Sequence, residues 1–354
     1  MAGGLFELRR DDITGWWVAT VVDREFERAR FARPARRLGI PDEECQNCPS
    51  APRERAWLRV LKPQAFTVAG GGPAHRPREA AAAPDVEAQE LGMGLLGDVG
   101  SWETIAAPYR HHGPLSEESE AIVIEMLRLA RERIVLARSQ GGTQYLQVVQ
   151  NWGVQAGAMT DHLCFDVYDL PQIPHRIGEE LGGAARYVIK EGVCPWCRLV
   201  EDEVTRRDRL VFDDAASVCF APYASRSPFE LWVVPRHHEA DFAKASDDQL
   251  TSAAETLQKV IRMLGTLEGP AYNLVLHSAP LRENVRETYH WHWEIHPRLR
   301  EIGGLELGTG LPVNPISPEE AVDELLASTR AASGESALRG EPDGGRSWDD
   351  FLRR

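Results

Sequence analysis

Apolar and polar side chains alternate along Tyr289-His290-Trp291-His292-Trp293-Glu294-Ile295-His296-Pro297. Period two is the mark of a β-strand with unlike faces. His290, His292, Glu294 and His296 fall on one face, and Trp291, Trp293 and Ile295 on the other. Three imidazoles and a carboxylate backed by large apolar groups are costly to bury unless they bind something. Without a ligand, the stretch reads as a solvated edge strand. Elsewhere, Trp16, Trp17, Val18, Val21 and Val22 predict a strand pair within 5–25. Trp57–Phe66, Trp102–Ala107, Tyr145–Gln150, Phe229–Val234 and Tyr272–Leu276 each read as a strand, and 210–223 holds short strands. From Ser116 the period lengthens: Ile122, Ile124, Met126, Leu127, Leu129 and Ile134 predict an amphipathic helix over about 117–138. Ser116 is its expected N-cap, with Glu117, Glu118 and Glu120 in the first turn. Leu250, Leu257, Val260, Ile261 and Leu264 predict a second helix over about 246–264. Residues 24–37 and 68–90 lack a pattern, and the tail from Ser333 has a disordered composition.

The order of elements repeats. Each half runs C-x-x-C, strands, a histidine pair, a helix, a strand, and a second histidine. His111 and His162 are about 51 residues apart, and His238 and His290 about 52. One order with one spacing implies a duplicated α+β domain. The expected division is 1–185, 186–330 and a tail at 331–354.

Composition narrows the chemistry. The 354 residues are 43% hydrophobic and 27% charged, values of a globular protein. A net charge of −14 argues against a surface that tracks nucleic-acid phosphates. No apolar run approaches about 18 residues, so no membrane span is expected. The first residues lack a signal-peptide core, which makes a cytoplasmic protein the expectation. Six cysteines are too few for a disulfide scaffold, and four of them sit in C-x-x-C pairs. Two thiolates with two imidazoles are the donor set that Zn²⁺ prefers, and four-ligand sites are structural. The expected sets are Cys45, Cys48, His111 and His162 in the first half, and Cys194, Cys197, His238 and His290 in the second. Sequence alone does not separate His111 from His112, or His238 from His237.

The chain resembles the galactose-1-phosphate uridylyltransferase family, a branch of the histidine-triad superfamily. Its motifs lie nearest the variety with two C-x-x-C pairs, which includes plant ADP-glucose phosphorylase. The resemblance runs over about residues 5–328. It is carried by Glu7 to Trp17, Cys45-x-x-Cys48, Gly100-Ser-Trp-Glu-Thr-Ile105 with His111, and Asn151-x-Gly-x-x-Ala-Gly-Ala158. It continues through Cys194-x-x-Cys197, Pro235-Arg-x-His238, His277-Ser-Ala-Pro280, His290 to Arg298, and Gly303 to Gly310 followed by Asn314-Pro315. It implies two histidine-triad-like halves around a shared antiparallel sheet, as a homodimer. It also implies nucleotidyl transfer between a nucleotide sugar and a sugar 1-phosphate or phosphate, with one or two structural zinc ions.

In that family a histidine of a His-Pro-His-Ser-Gln motif takes the nucleotidyl group. Here His162-Leu163-Cys164-Phe165-Asp166 occupies the motif. His162 keeps the metal-ligand position, Cys164 stands at the nucleophile, and Asp166 replaces the phosphate-contacting glutamine. A thiolate suits phosphorus poorly, and a carboxylate repels a diphosphate. Cys164 also reads as a small core residue. His292 is the alternative nucleophile. Asn151 and Gly153 are the implied nucleotide contacts, although both also suit a turn. Glu180, His277, His290 and His292 resemble a second metal site of bacterial relatives. The alternative function is a zinc-stabilised nucleotide-binding protein without the covalent step. No uracil-contacting stretch stands out around Lys62-Pro63-Gln64, so the base is unassigned.

Overall fold

The helical stripe that begins near residue 117 forms α1, Glu120–Gln140. Val123, Met126, Leu127, Ala130 and Ile134 are buried along it at helical spacing. The structure, a computed structural model, describes residues 6–21, 33–45, 47–48, 59–61, 101–107, 111, 113–140 and 142–333. The readings of 24–32, 62–64, 68–90, His112 and the tail from 334 fall outside these residues. Ser116 does not cap α1. It lies in a 3-10 turn, Leu115–Glu117, and the first helical N–H groups of Ile122 and Val123 bond to the Ser119 carbonyl instead.

The strands are β1 (Phe6–Arg10), β2 (Trp17–Val21), β3 (Arg59–Leu61), β4 (Ser101–Ala106), β5 (Tyr145–Trp152) and β6 (Cys164–Leu170). They continue with β7 (Leu210–Asp213), β8 (Ser217–Phe220), β9 (Leu231–Pro235), β10 (Tyr272–His277), β11 (His292–Pro297) and β12 (Val313–Asn314). Nine of them form one sheet in the order β3-β4-β6-β5-β10-β11-β9-β8-β7, with every pairing antiparallel. The other three form a small sheet in which β12 runs parallel to β2.

Among the described residues, five more helices flank the sheets: α2 (His175–Glu191), α3 (Pro195–Arg206), α4 (Asp247–Gly265), α5 (Gly304–Thr309) and α6 (Pro318–Ala332). Of these, α2, α3, α5 and α6 are not foreseen by the pattern reading. The start of α4 is: Ser246 and Gln249 form a reciprocal capping box. No helix among the described residues is long and apolar enough to cross a membrane.

Directly paired residues share a face of an antiparallel sheet. Thr104, Asp166, Val149, Val275, Glu294 and Trp232 therefore line up across β4, β6, β5, β10, β11 and β9 on one face. The opposite face carries Phe165, Leu274, Trp293 and Ile295 into the main core with α1 and α4. Phe242 meets Trp291 edge-on at 5.1 Å there. Of the strand predicted at 289–297, only 292–297 forms, as β11. It is central rather than an edge, and His292 and Glu294 on its polar face are fully enclosed, while His290 precedes the strand. On the first face, α2, α3 and the β1–β2 turn cover the β11-β9-β8 portion.

Candidate active site and metal centres

The first C-x-x-C lies in a turn closed by Cys48 N–H to the Cys45 carbonyl. Its sulfurs meet His111 and His162, the latter just before β6. Cys48 Sγ is 3.0 Å from His111 Nδ1 and 3.4 Å from His162 Nδ1. His111 Nε2 faces the Ile40 carbonyl at 2.6 Å, and His162 Nε2 faces the Ala107 carbonyl at 2.7 Å. A carbonyl only accepts, so each Nε2 carries the proton and each Nδ1 turns its lone pair toward sulfur. Zn–S near 2.3 Å and Zn–N near 2.1 Å imply S···N separations of about 3.5 Å in a tetrahedron. The observed distances and donor types fit such an ion.

The second set repeats this arrangement. Cys194 is the N-cap of α3, Pro195 takes its first position, and Cys197 follows within the first turn. Cys197 Sγ lies 3.3 Å from His238 Nδ1 and 3.6 Å from His290 Nδ1. His238 Nε2 donates to the Arg286 carbonyl at 2.8 Å. The hydrogen bond with Cys194 brings the Cys197 thiol down to about 4, while that bond and burial push Cys194 up. Such a pair releases one proton readily and the second only to a cation. The geometry selects His238 over His237, which is exposed and outside the cluster. In each set the four ligand atoms lie within 4.8 Å of one another.

His290 Nδ1 faces Cys197, which separates it from Glu180, His277 and His292. These three form a distinct buried group. Glu180 accepts from Tyr289 Oη–H at 2.8 Å and from His277 Nδ1–H at 3.0 Å. Burial alone would raise the Glu180 carboxyl, but His277 and Arg176 outweigh it and hold it at about 2. His292 Nδ1–H donates to the His290 carbonyl at 2.9 Å, and its Nε2 is buried without a hydrogen-bond partner.

Glu230, Glu294 and His296 make a further group. Arg176 Nη2 reaches both Glu294 oxygens at 2.6 Å, and Arg226 Nη2 bridges Glu230 and Glu294 at 2.8 and 3.0 Å. Burial opposes ionisation of Glu294, but Arg176, His277 and Arg226 hold its carboxyl well below the usual range. Guanidinium already neutralises these carboxylates, so the donor set does not suit a metal cation. Arg176 and Arg226 come from elements remote in sequence, and no local pattern flags them.

On β6, Cys164 is 6% exposed and Asp166 7%. Burial, then the neighbouring Asp166, pushes the Cys164 thiol up. Burial also raises the Asp166 carboxyl, against hydrogen bonds from Trp102 Nε1–H at 3.2 Å and Thr104 Oγ1–H at 3.0 Å. Asn151 is a residue of β5 rather than of a turn, and it is paired with Asn273 on β10. Gly153 follows at φ 82°, where an added Cβ would lie 2.8 Å from Ala271 Cβ. Both its conformation and its packing therefore exclude a side chain. Val149, Asn151, Asn273 and Val275 are only half-buried. They form an open strip between buried Asp166 on one side and buried Glu294 on the other.

No protein-family model matches the chain. It is 27% identical over 332 residues to ADP-glucose phosphorylase of Arabidopsis thaliana, covering 89% of this chain and 90% of that protein. It is 27% identical over 192 residues to galactose-1-phosphate uridylyltransferase of Thermotoga maritima, covering 51% of this chain and 59% of the relative. The solved Arabidopsis thaliana ADP-glucose phosphorylase with bound ADP-glucose superposes with a TM-score of 0.69 at 25% identity, over 90% of this chain and 97% of that one. A uridylyltransferase structure gives a TM-score of 0.69 at 26% identity, over 92% and 99%. The galactose-1-phosphate uridylyltransferases and ADP-glucose phosphorylase are thus homologues of this chain, which shares their α+β fold.

Proposed function

We propose that the chain moves a nucleotidyl group between a nucleotide sugar and a sugar 1-phosphate or phosphate. The observation that carries this reading is the 27% identity over 332 residues with a phosphorylase solved holding ADP-glucose. The substrate lies along the open strip of β5 and β10, with Asn151 and the Gly153 backbone at its phosphates. Asp166, its carboxyl raised by burial, donates to a phosphate oxygen when protonated, as the family's glutamine would. In the transfer, the bond from the α-phosphorus to the leaving sugar phosphate breaks. A bond to the accepting phosphate oxygen replaces it.

Each Cys₂His₂ set is read as a zinc site. A four-ligand zinc, when bound, supplies a rigid cross-link and no open coordination position. The first set would tie the turn at 45–48 to the start of β6. The second would tie α3 to the entry of β11. The two halves, 1–185 and 186–330, would then each carry one such tie, with α2 running across their boundary.

A covalent route needs an accessible nucleophile. Cys164 would have to open to solvent and lose its proton, and His292 is enclosed. That burial favours, as a second reading, a nucleotide-binding protein without the covalent step. Intact-mass spectrometry after incubation with UDP-glucose, ADP-glucose and GDP-sugars separates the two. A nucleotidyl adduct lost in Cys164→Ala or in His292→Ala names the nucleophile and the base. Exchange of labelled sugar 1-phosphate into the donor without an adduct means direct transfer. Neither adduct nor exchange, from folded zinc-replete protein, sinks the transferase reading.

A further inference from the structure

We infer that Asn273, on β10, is the positioning residue that fixes the Asn151 side-chain amide as a hydrogen-bond donor toward the phosphates of the nucleotide sugar. This rests on the transferase reading for the ligand. The orientation itself rests on geometry. Asn273 Nδ2 lies 2.7 Å from the Ala156 carbonyl and 2.6 Å from Asn151 Oδ1. A backbone carbonyl cannot donate, so the Asn273 atom that faces Ala156 must be its NH₂ group. Both protons of that NH₂ are then committed, one to Ala156 and one to Asn151. The Asn151 atom that meets Asn273 must accept, so it is Oδ1. The Asn151 NH₂ is left pointing away from Asn273, on a strip whose neighbours Val149 and Val275 are half-buried.

One carbonyl thus dictates the polarity of two amides in series. The turn that carries this carbonyl is itself held. Ala156 N–H and Ala158 N–H both bond to the Gly153 carbonyl, and Gly153 is wedged against Ala271 and Ala35. An amide free to rotate would offer oxygen or nitrogen to a ligand with little preference. Locked this way, it offers N–H, which attracts a phosphate oxygen. The ligand class is an anionic phosphate group, here the diphosphate of a nucleotide sugar. The need for a fixed donor is sharper in this chain because Asp166 supplies a carboxyl on the same face.

Asn273→Asp tests this with almost no change of shape. The new carboxylate only accepts, so Asn151 must turn its NH₂ toward it and present oxygen to the phosphate. Calorimetric titration of the zinc-replete full chain with ADP-glucose and UDP-glucose should show affinity for whichever donor binds falling about tenfold or more, the scale of one charge-assisted hydrogen bond. Asn151→Ala should lower affinity, and adding Asn273→Asp to it should change little further. Asn273→Asp binding like wild type, or the same loss with Asn151 already removed, would overturn the inference. Failure of wild type to bind either donor would count against the transferase reading instead. The orientation is then judged alone, from side-chain amide resonances of ¹⁵N-asparagine-labelled protein. A large shift of the Asn151 NH₂ pair in Asn273→Asp is expected, and an unmoved pair overturns the inference.

Discussion

Cys164, which the motif reading sets at the place of the resembled family's nucleophilic histidine, lies on the face that also carries Asp166 and Glu294. Burial and the neighbouring Asp166 push its thiol up and so disfavour the thiolate. Cys164→His is therefore expected to raise nucleotidyl exchange at least tenfold if the rest of the pocket is competent. Cys164→His with Asp166→Gln should raise it further. The larger ring overpacks the site by about 1–3 kcal/mol, so thermal melting has to accompany the exchange assay. No gain in a folded variant would mean that more than the nucleophile has been lost. The identity of Cys164 and its neighbour was plain in the sequence. Its enclosure was not, because burial is set by which strands flank β6.

At the scale of elements, the first face of the sheet is closed over β11 by α2 and the turn after β1. Gly183 makes that contact possible: an added Cβ would lie 1.7 Å from the Ile13 carbonyl oxygen. The clash is with backbone, so a rotamer change cannot relieve it. Gly183→Ala should destabilise the protein by about 1–3 kcal/mol, as overpacking does, measured by urea unfolding. Stability unchanged from wild type would mean that the turn does not bear on α2. Periodicity located α1 and α4 from their buried apolar positions, although α1 also exposes Val135. It passed over α2, where the Glu180, Gly183 and Ala184 positions face inward. Ile177, Leu181, Ala184 and Val188 do recur there at helical spacing, but the buried carboxylate and glycine between them obscure the stripe.

At the scale of the whole molecule, two ties and one charged core are expected to respond to different conditions. The donor sets fit zinc, so chelation should lower the melting temperature by at least about 10 °C, given the several kcal/mol that structural zinc contributes. Cys48→Ser and Cys197→Ser should each remove part of that response. Melting insensitive to a strong chelator, with no zinc by elemental analysis, would sink both metal assignments. Acid acts on Glu180 and Glu294, whose carboxyls lie below their ordinary value of 4.5 in the folded state. Their contribution is fully present above pH about 4.5 and is lost as pH falls through their lowered values, about 2 for Glu180. Unfolding followed by tryptophan fluorescence with excess zinc should show this acid limb. Arg176→Ala should move it to higher pH, and an unshifted limb would mean that Arg176 does not hold these carboxylates.

By itself the sequence determined the repeated order of elements, the two C-x-x-C pairs with histidines at matching offsets, the two long helices and the alternation that becomes β11. Each is written in local spacing: a period of two or 3.6, a C-x-x-C pair, a histidine at a repeated offset. Tertiary structure alone decided that this strand is central, that His238 rather than His237 meets the second cysteine pair, and that His290 leaves Glu180, His277 and His292 as a separate group. It also decided that Arg176 and Arg226 neutralise Glu294, and that Asn273 faces Asn151. These depend on strand order, pairing register and the helices packed across the sheet. Such contacts join residues from 41 to 122 positions apart, and no local pattern encodes them.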